Sequence, residues 1–263
     1  MPKVHSIVVL IAFSVLLALP SIVLLPANAS KDSVAPAVGS LASANVSPLA
    51  TQKCPDCWAG WGVQKAGLVT AIYANVKVPA LTCTATDTES LFGVALDGFS
   101  LNDFAYAAVL AFCSSGSPQY GIQIVNLATG LNVSAKWAPS SGDKVSLRVV
   151  ESAGIFKITA KDVTSTKTFS KSAAASGAKL NAGECITDMF GATPLTNFGK
   201  VNFSGCDATV NGVKKAIGSF GTAAKLVKYV CYDSTSTTLL AQPSVLSTTN
   251  HANFHVTWKA SGP

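Results

Sequence analysis

Apolar and polar side chains alternate along most of the chain from about residue 58 onward. In Val69–Val78, Ile72, Ala74, Val76 and Val78 fall on one face, with Tyr73, Asn75 and Lys77 on the other. Val145, Leu147 and Val149 alternate in Lys144–Val150, and Phe156, Ile158 and Ala160 alternate in Gly154–Lys161. Phe254, Val256 and Trp258 repeat the pattern near the end. A period of two turns one set of side chains into a core and the other outward, which predicts half-buried strands. Further strands are predicted at Ser90–Leu96, Phe104–Cys113, Gln119–Asn126, Asn132–Trp137, Gly183–Asp188, Phe198–Ser204 and Lys225–Tyr232. Turn residues punctuate them at Asp97-Gly98, Ser115-Gly116-Ser117-Pro118, Ser140-Ser141-Gly142-Asp143 and Asn211-Gly212. One stretch, Lys171–Lys179, reads as a helix. About a dozen short strands with few helices predict an all-β fold, an antiparallel β-sandwich of two packed sheets, with a closed barrel as the alternative. No repeat of fixed period occurs.

The N-terminus breaks this pattern. Lys3 and His5 precede an apolar run from Ile7 to Leu25, which ends in Ala27-Asn28-Ala29. A basic start, an apolar centre and a small-x-small end describe a signal peptide over residues 1–29. The run approaches the roughly 20 residues that span a bilayer, so an uncleaved N-terminal anchor is the alternative. Either reading exports the rest of the chain, to a secreted or extracellular-surface location. Residues 30–53 are mostly Ser, Ala, Val, Pro and Gly without apolar period, a linker or pro-segment. The expected domain is 54–263, long enough for one substantial core.

Charge narrows the partners. The whole chain of 263 residues has a formal net charge of +6. Lys214-Lys215 is its only adjacent basic pair. Diffuse positive charge is not a nucleic-acid footprint, so no nucleic-acid partner is expected. Asn45, Asn132 and Asn202 open Asn-x-Ser triplets that can accept glycans in an exported chain. The seven cysteines are Cys54, Cys57, Cys83, Cys113, Cys185, Cys206 and Cys231. Export permits disulfides, and the odd number leaves at least one thiol outside intramolecular bridges. Cys54-Pro55-Asp56-Cys57 lacks a second ligand pair, so it reads as structural rather than as zinc. No metal or other cofactor is expected.

Catalytic chemistry has few carriers. His251 and His255 are the only histidines beyond the N-terminal segment, and no acidic cluster lies near them. That disfavours a Ser–His–Asp or Cys–His centre. The three glutamates are Glu89, Glu151 and Glu184. Glu89 and Glu151 sit beside polar turn residues and read as solvated. Glu184 lies in Ala182-Gly183-Glu184-Cys185-Ile186-Thr187-Asp188, where alternation puts Glu184, Ile186 and Asp188 on one face. A desolvated carboxyl there suits a general acid or base, and an edge-strand carboxylate paired with lysine is the plain structural reading.

Five stretches in order resemble the glutamic peptidases, or eqolisins. They are Trp58-Ala59-Gly60, Val76-Lys77-Val78-Pro79, Val94-Ala95-Leu96-Asp97-Gly98, Gly183-Glu184-Cys185-Ile186 and Phe198-Gly199-Lys200-Val201-Asn202-Phe203. The resemblance runs from about Trp58 to Trp258. It implies a concanavalin-A-like sandwich, an acid endopeptidase, a polypeptide substrate and a monomer. It also implies a Gln–Glu dyad, with the glutamate as general base and the glutamine amide stabilising the oxyanion. The glutamate matches Glu184. Asp97 matches the family's Asp-Gly motif and, with Tyr120, is expected to bind substrate. A gap-free alignment puts the family's glutamine at Ala107, which carries no donor. Gln123, on the next strand, is the candidate replacement. If neither serves, the resemblance leaves a non-catalytic module that binds peptide or glycan on the same sandwich.

Overall fold

A computed structural model describes residues 50–54, 58–97, 105–188 and 193–262. The expected signal peptide or anchor, most of the linker, Asn45 and Gly98 lie outside the described residues. Sixteen strands occur among them: β1 (Ala50–Cys54), β2 (Ala59–Gln64), β3 (Val69–Lys77), β4 (Thr88–Leu96), β5 (Ala105–Ser114), β6 (Ser117–Asn126), β7 (Leu131–Ser134), β8 (Lys144–Ser152), β9 (Ile155–Asp162), β10 (Thr168–Ala174), β11 (Ala182–Asp188), β12 (Lys200–Val210), β13 (Val213–Ala216), β14 (Lys225–Tyr232), β15 (Leu239–Pro243) and β16 (Phe254–Trp258). The described residues hold no α-helix, only three single turns of 3₁₀-helix. Strand β1 pairs in parallel with β14 and begins four residues before Cys54.

The hydrogen-bonded path runs β10-β9-β8-β3-β12-β16-β15-β14-β2-β11-β4-β5-β6-β7. It folds back on itself, so that β3, β8 and β9 pack against β4, β5 and β11. The product is a β-sandwich. Alternation explains its core. Ile72, Ala74 and Val76 of β3, Val145, Leu147 and Val149 of β8, and Phe156, Ile158 and Ala160 of β9 are buried from one layer. Phe92, Val94 and Leu96 of β4, Ala107 and Val109 of β5, and Ile122 and Ile124 of β6 meet them from the other. Each large side chain taken from water contributes about 1.5–3 kcal/mol.

Tight turns set the strand registers. Ser115-Gly116 (φ 49° and 78°) and Asn211-Gly212 (φ 50° and 73°) each have two residues at positive φ between paired strand ends. This is the hairpin geometry that matches strand twist. The stretch expected as a helix, Lys171–Lys179, instead contributes to β10, which pairs antiparallel with β9. Alternation in β10 as a whole decides the outcome: Phe169 packs against the core, and the Ser170 hydroxyl lies 2.8 Å from Thr159 Oγ1.

A disulfide joins Cys83 to Cys113, and Cys231 is also disulfide-bonded. Cys185 and Cys206 are free and buried.

Candidate functional site

Strand β11 lies in the interior of the sheet, between β2 and β4, and every residue of it is buried. Cys185 points into the sandwich core. A side chain at Gly183 would meet Val69 Cγ1 at 3.1 Å, so that face has no room for more. Ala182, Glu184, Ile186 and Asp188 therefore occupy the outer face. Across it, Val227, Gly62, Glu184, Ala95, Tyr106 and Val125 form one row of directly paired residues. The next row is Tyr229, Gly60, Ile186, Gly93, Ala108 and Gln123.

The rows alternate small floors with large walls. Glycine and alanine at 60, 62, 93, 95 and 108 sit among Tyr229, Ile186, Tyr106 and Leu91, and all of them are buried. A small cavity on this face is lined by Leu91, Gly93, Ala95, Tyr106, Ala108, Ile186 and Asp188. Gly93 is obligatory there, because a Cβ would stand 2.6 Å from the Ala107 carbonyl oxygen.

Glu184 is completely buried. Its Cγ and the Cε2 of Tyr229 each lie 3.1 Å from the point where a Cβ on Gly62 would stand. The missing side chain of Gly62 is thus what admits both groups. Trp58 meets the Tyr229 ring edge-on at 6.2 Å between centroids.

Tyr106 is also buried on this face. Its Oη donates to Gln123 Oε1 at 3.0 Å, and Gln123 Nε2 donates to Asn132 Oδ1 at 3.0 Å. Burial, and then the nearby charges of Asp188 and Glu89, push the Tyr106 phenol far above its usual range, so it stays protonated. Glu89, expected to be solvated, is half-buried on β4, and burial raises its pKa.

The expected site residues separate. Glu184 and Gln123 share a face, but three strand spacings lie between β11 and β6. At about 4.8 Å per spacing that is about 14 Å. Both ends of the Gln123 amide are engaged away from Glu184. Ala107 is not on the outer face at all. It is fully buried in the core between Val94 and Ile124, and the β5 residues on the Glu184 face are Tyr106 and Ala108. A shift of one residue reverses the face, so the position that the gap-free alignment selects does not share a face with Glu184.

Asp97 is buried, and backbone groups engage its carboxylate. It sits at φ 62°, and its carboxylate accepts from the backbone N–H of Leu180 and of Asn181, both at 2.6 Å. Its own N–H donates to the Ala182 carbonyl at 3.0 Å. Asp97 thereby fixes the entry of β11 and, through it, the height of Glu184. Tyr120 points to the core face and donates to the Pro79 carbonyl at 2.8 Å, away from Glu184. Gly62, Tyr106 and Tyr229 had no sequence signal beyond a large polar-tipped ring, or a glycine, among small residues.

The β-sandwich fold is that of the glutamic peptidases. The chain belongs to the Peptidase A4 family, whose model matches residues 56–251. Among solved structures, it is similar to scytalido-glutamic peptidase held with a peptide-based transition-state analogue, at 16% identity and a TM-score of 0.60 over 77% of this chain and 98% of that one. SCP-B, an eqolisin in complex with the tripeptide Ala-Ile-His, gives 15% identity and 0.60 over 77% and 98%. Aspergilloglutamic peptidase from Aspergillus niger gives 17% identity and 0.53 over 65% and 99%. No curated protein sequence matches the chain.

Proposed function

We propose that the chain is an exported endopeptidase that cleaves polypeptides at acid pH, with Glu184 as general base. The observation that carries this reading is the complete burial of Glu184 on the outer face of β11, in a family with solved relatives that hold peptides or peptide-based inhibitors. Glu184 takes a proton from a water molecule as the water oxygen bonds to the scissile carbonyl carbon. The same carboxyl then gives a proton to the departing amine as the C–N bond breaks. Export rests on the composition of residues 1–29. The protein acts as a monomer without metal or cofactor. The test is cleavage of a denatured protein between about pH 2 and 5, with Glu184→Ala as the control. Cleavage that survives the substitution rejects this chemistry.

A second reading is a module that binds peptide or glycan without cutting it. The observation in its favour is the distance of Gln123 from Glu184, together with the core position of Ala107. Peptide binding by a chain that never cleaves would select it.

A further inference from the structure

We infer that the outer face of the layer built from β9, β8, β3, β12 and β16, on the far side of the sandwich from Glu184, binds an acidic polysaccharide. The inference holds whether or not the chain cleaves peptides. Core parity fixes this face. Val76, Val145, Phe203 and Val256 point inward, so Lys77, Lys144, Asn202 and His255 point outward. Those four are directly paired across adjacent strands, in the order Lys144, Lys77, Asn202, His255. Three spacings of about 4.8 Å make the row about 14 Å long. On β9, Lys161 pairs with Ser146, which stands between Lys144 and Arg148 on β8, and Lys157 pairs with Val150. Positive charge that is diffuse along the sequence is thus gathered by the fold onto one surface.

Like charges directly opposite each other on a sheet are destabilising, and Lys77 and Lys144 are so placed. Asp207 is the one acid that parity puts on this face of the five strands, and it already lies 3.5 Å from Lys214 Nζ. Lys77, Lys144, Arg148, Lys157 and Lys161 are exposed and have no ion-pair partner among the described residues. An anionic ligand offsets the repulsion that the fold leaves standing. At its His255 end the row opens into a hollow of about 610 Å³ lined by Asn202, Ser204, Ser247, Asn253 and His255. The side chains of Asn202, Ser204 and His255 make no hydrogen bond among the described residues. An amide, a hydroxyl and an imidazole supply the donors and acceptors that sugar hydroxyls take. Single-stranded nucleic acid instead needs open aromatic platforms for its bases. Tyr73 is the one aromatic side chain that parity puts on this face, and Lys214 Nζ covers it at 4.0 Å from the ring centroid.

The test titrates the full chain, with Asn202 unglycosylated, against polygalacturonate and against neutral dextran at low salt and about pH 6, where the galacturonate carboxyls are ionised. Polygalacturonate is expected to bind and dextran is not. Lys77→Gln combined with Lys144→Gln is expected to weaken binding about ten-fold, the effect that two exposed ion pairs can supply. Lys179→Gln combined with Lys225→Gln removes the same charge from exposed positions off this face. That pair is expected to stay within about two-fold of the parent, because salt screens distant charges. Asn202→Asp puts a carboxylate directly opposite Lys77. It is expected to weaken binding while holding or raising the Tm, since it relieves the repulsion, whereas a residue with a merely structural role would lose Tm. Failure of the parent to bind polygalacturonate overturns the inference, and so does an equal loss in the two lysine pairs. Tighter binding of phosphatidylserine vesicles or of single-stranded DNA, lost when Lys77 and Lys144 are replaced, overturns the polysaccharide assignment in favour of that partner.

Discussion

Glu184 and Gly62 face each other across the β11–β2 ladder, and the Glu184 Cγ stands 3.1 Å from where a Cβ on residue 62 would be. The glutamate therefore owes its position to a side chain that is missing on the neighbouring strand. The same vacancy admits the edge of Tyr229.

Gly62→Ala should displace both groups. Overpacking of this kind costs about 1–3 kcal/mol. The expected outcome is a lower Tm together with loss of any Glu184-dependent activity. Gly121→Ala on β6 is the control, because its Cβ would meet Leu110 only at 3.8 Å, an ordinary contact. Calorimetry of both variants checks the pair, and equal Tm values would reject the packing explanation.

Asp97 and the backbone of Leu180 and Asn181 form the second device that places Glu184. Asp97→Ala leaves two N–H groups without their acceptor at the start of β11. Charge-assisted bonds of this type contribute about 1.5–3 kcal/mol each, less where water can replace the acceptor. We expect a loss of about 2 kcal/mol or more in denaturant unfolding. Asp97→Asn, which keeps one acceptor oxygen, should lose less.

The loss of stability in acid has an identifiable contributor in Asp233. Its carboxylate accepts from the Thr235 hydroxyl at 3.0 Å and from the Thr237 N–H at 2.8 Å. Hydrogen bonding from Thr238 first, with further bonds from Thr237 and Thr235, lowers its pKa well below the usual carboxylate range. A carboxyl depressed in the folded state adds stability that is complete above the unfolded value of about 3.9 and is lost as pH falls toward the folded value. The Tm of Asp233→Asn should accordingly lie below the parent at neutral pH, with the gap closing between about pH 4 and 2. A constant gap across that range would assign the loss to packing.

What the sequence makes legible depends on whether a strand has one wet face. β3, β8 and β9 bury one side and show the other to solvent or partial cover, so their alternation reads directly. The Glu184–Ile186–Asp188 face follows from the same parity. β5 is apolar and small on both faces, so nothing in Ala105-Tyr106-Ala107-Ala108 marks which alanine looks inward. β2 escapes detection because Gly60 and Gly62 interrupt its pattern, although they are the residues that open the site. Parity also puts Gln123 on the face of Glu184 but carries no information on lateral order. β11 inserts between β2 and β4, far from its sequence neighbours, and that insertion leaves Gln123 remote from Glu184.

The two alanines of β5 give the sharpest check on this assignment of faces. Ala107 is fully buried between Val94 and Ile124, in the core of the sandwich. A glutamine there would bury an amide with no partner and force extra volume into a filled space. The two effects cost roughly 1–3 kcal/mol each. Ala107→Gln should therefore destabilise the protein by several kcal/mol without creating activity. Ala108 pairs with Gly93 on the outer face and lines the small cavity beside Ile186 and Asp188. Ala108→Gln can place its amide beside Asp188 and Tyr106, the polar residues that line that cavity, so it should lose less. Urea unfolding of the two variants, run side by side, distinguishes them. Comparable losses would mean that β5 is turned over, and the outer face would then have to be redrawn around Ala107.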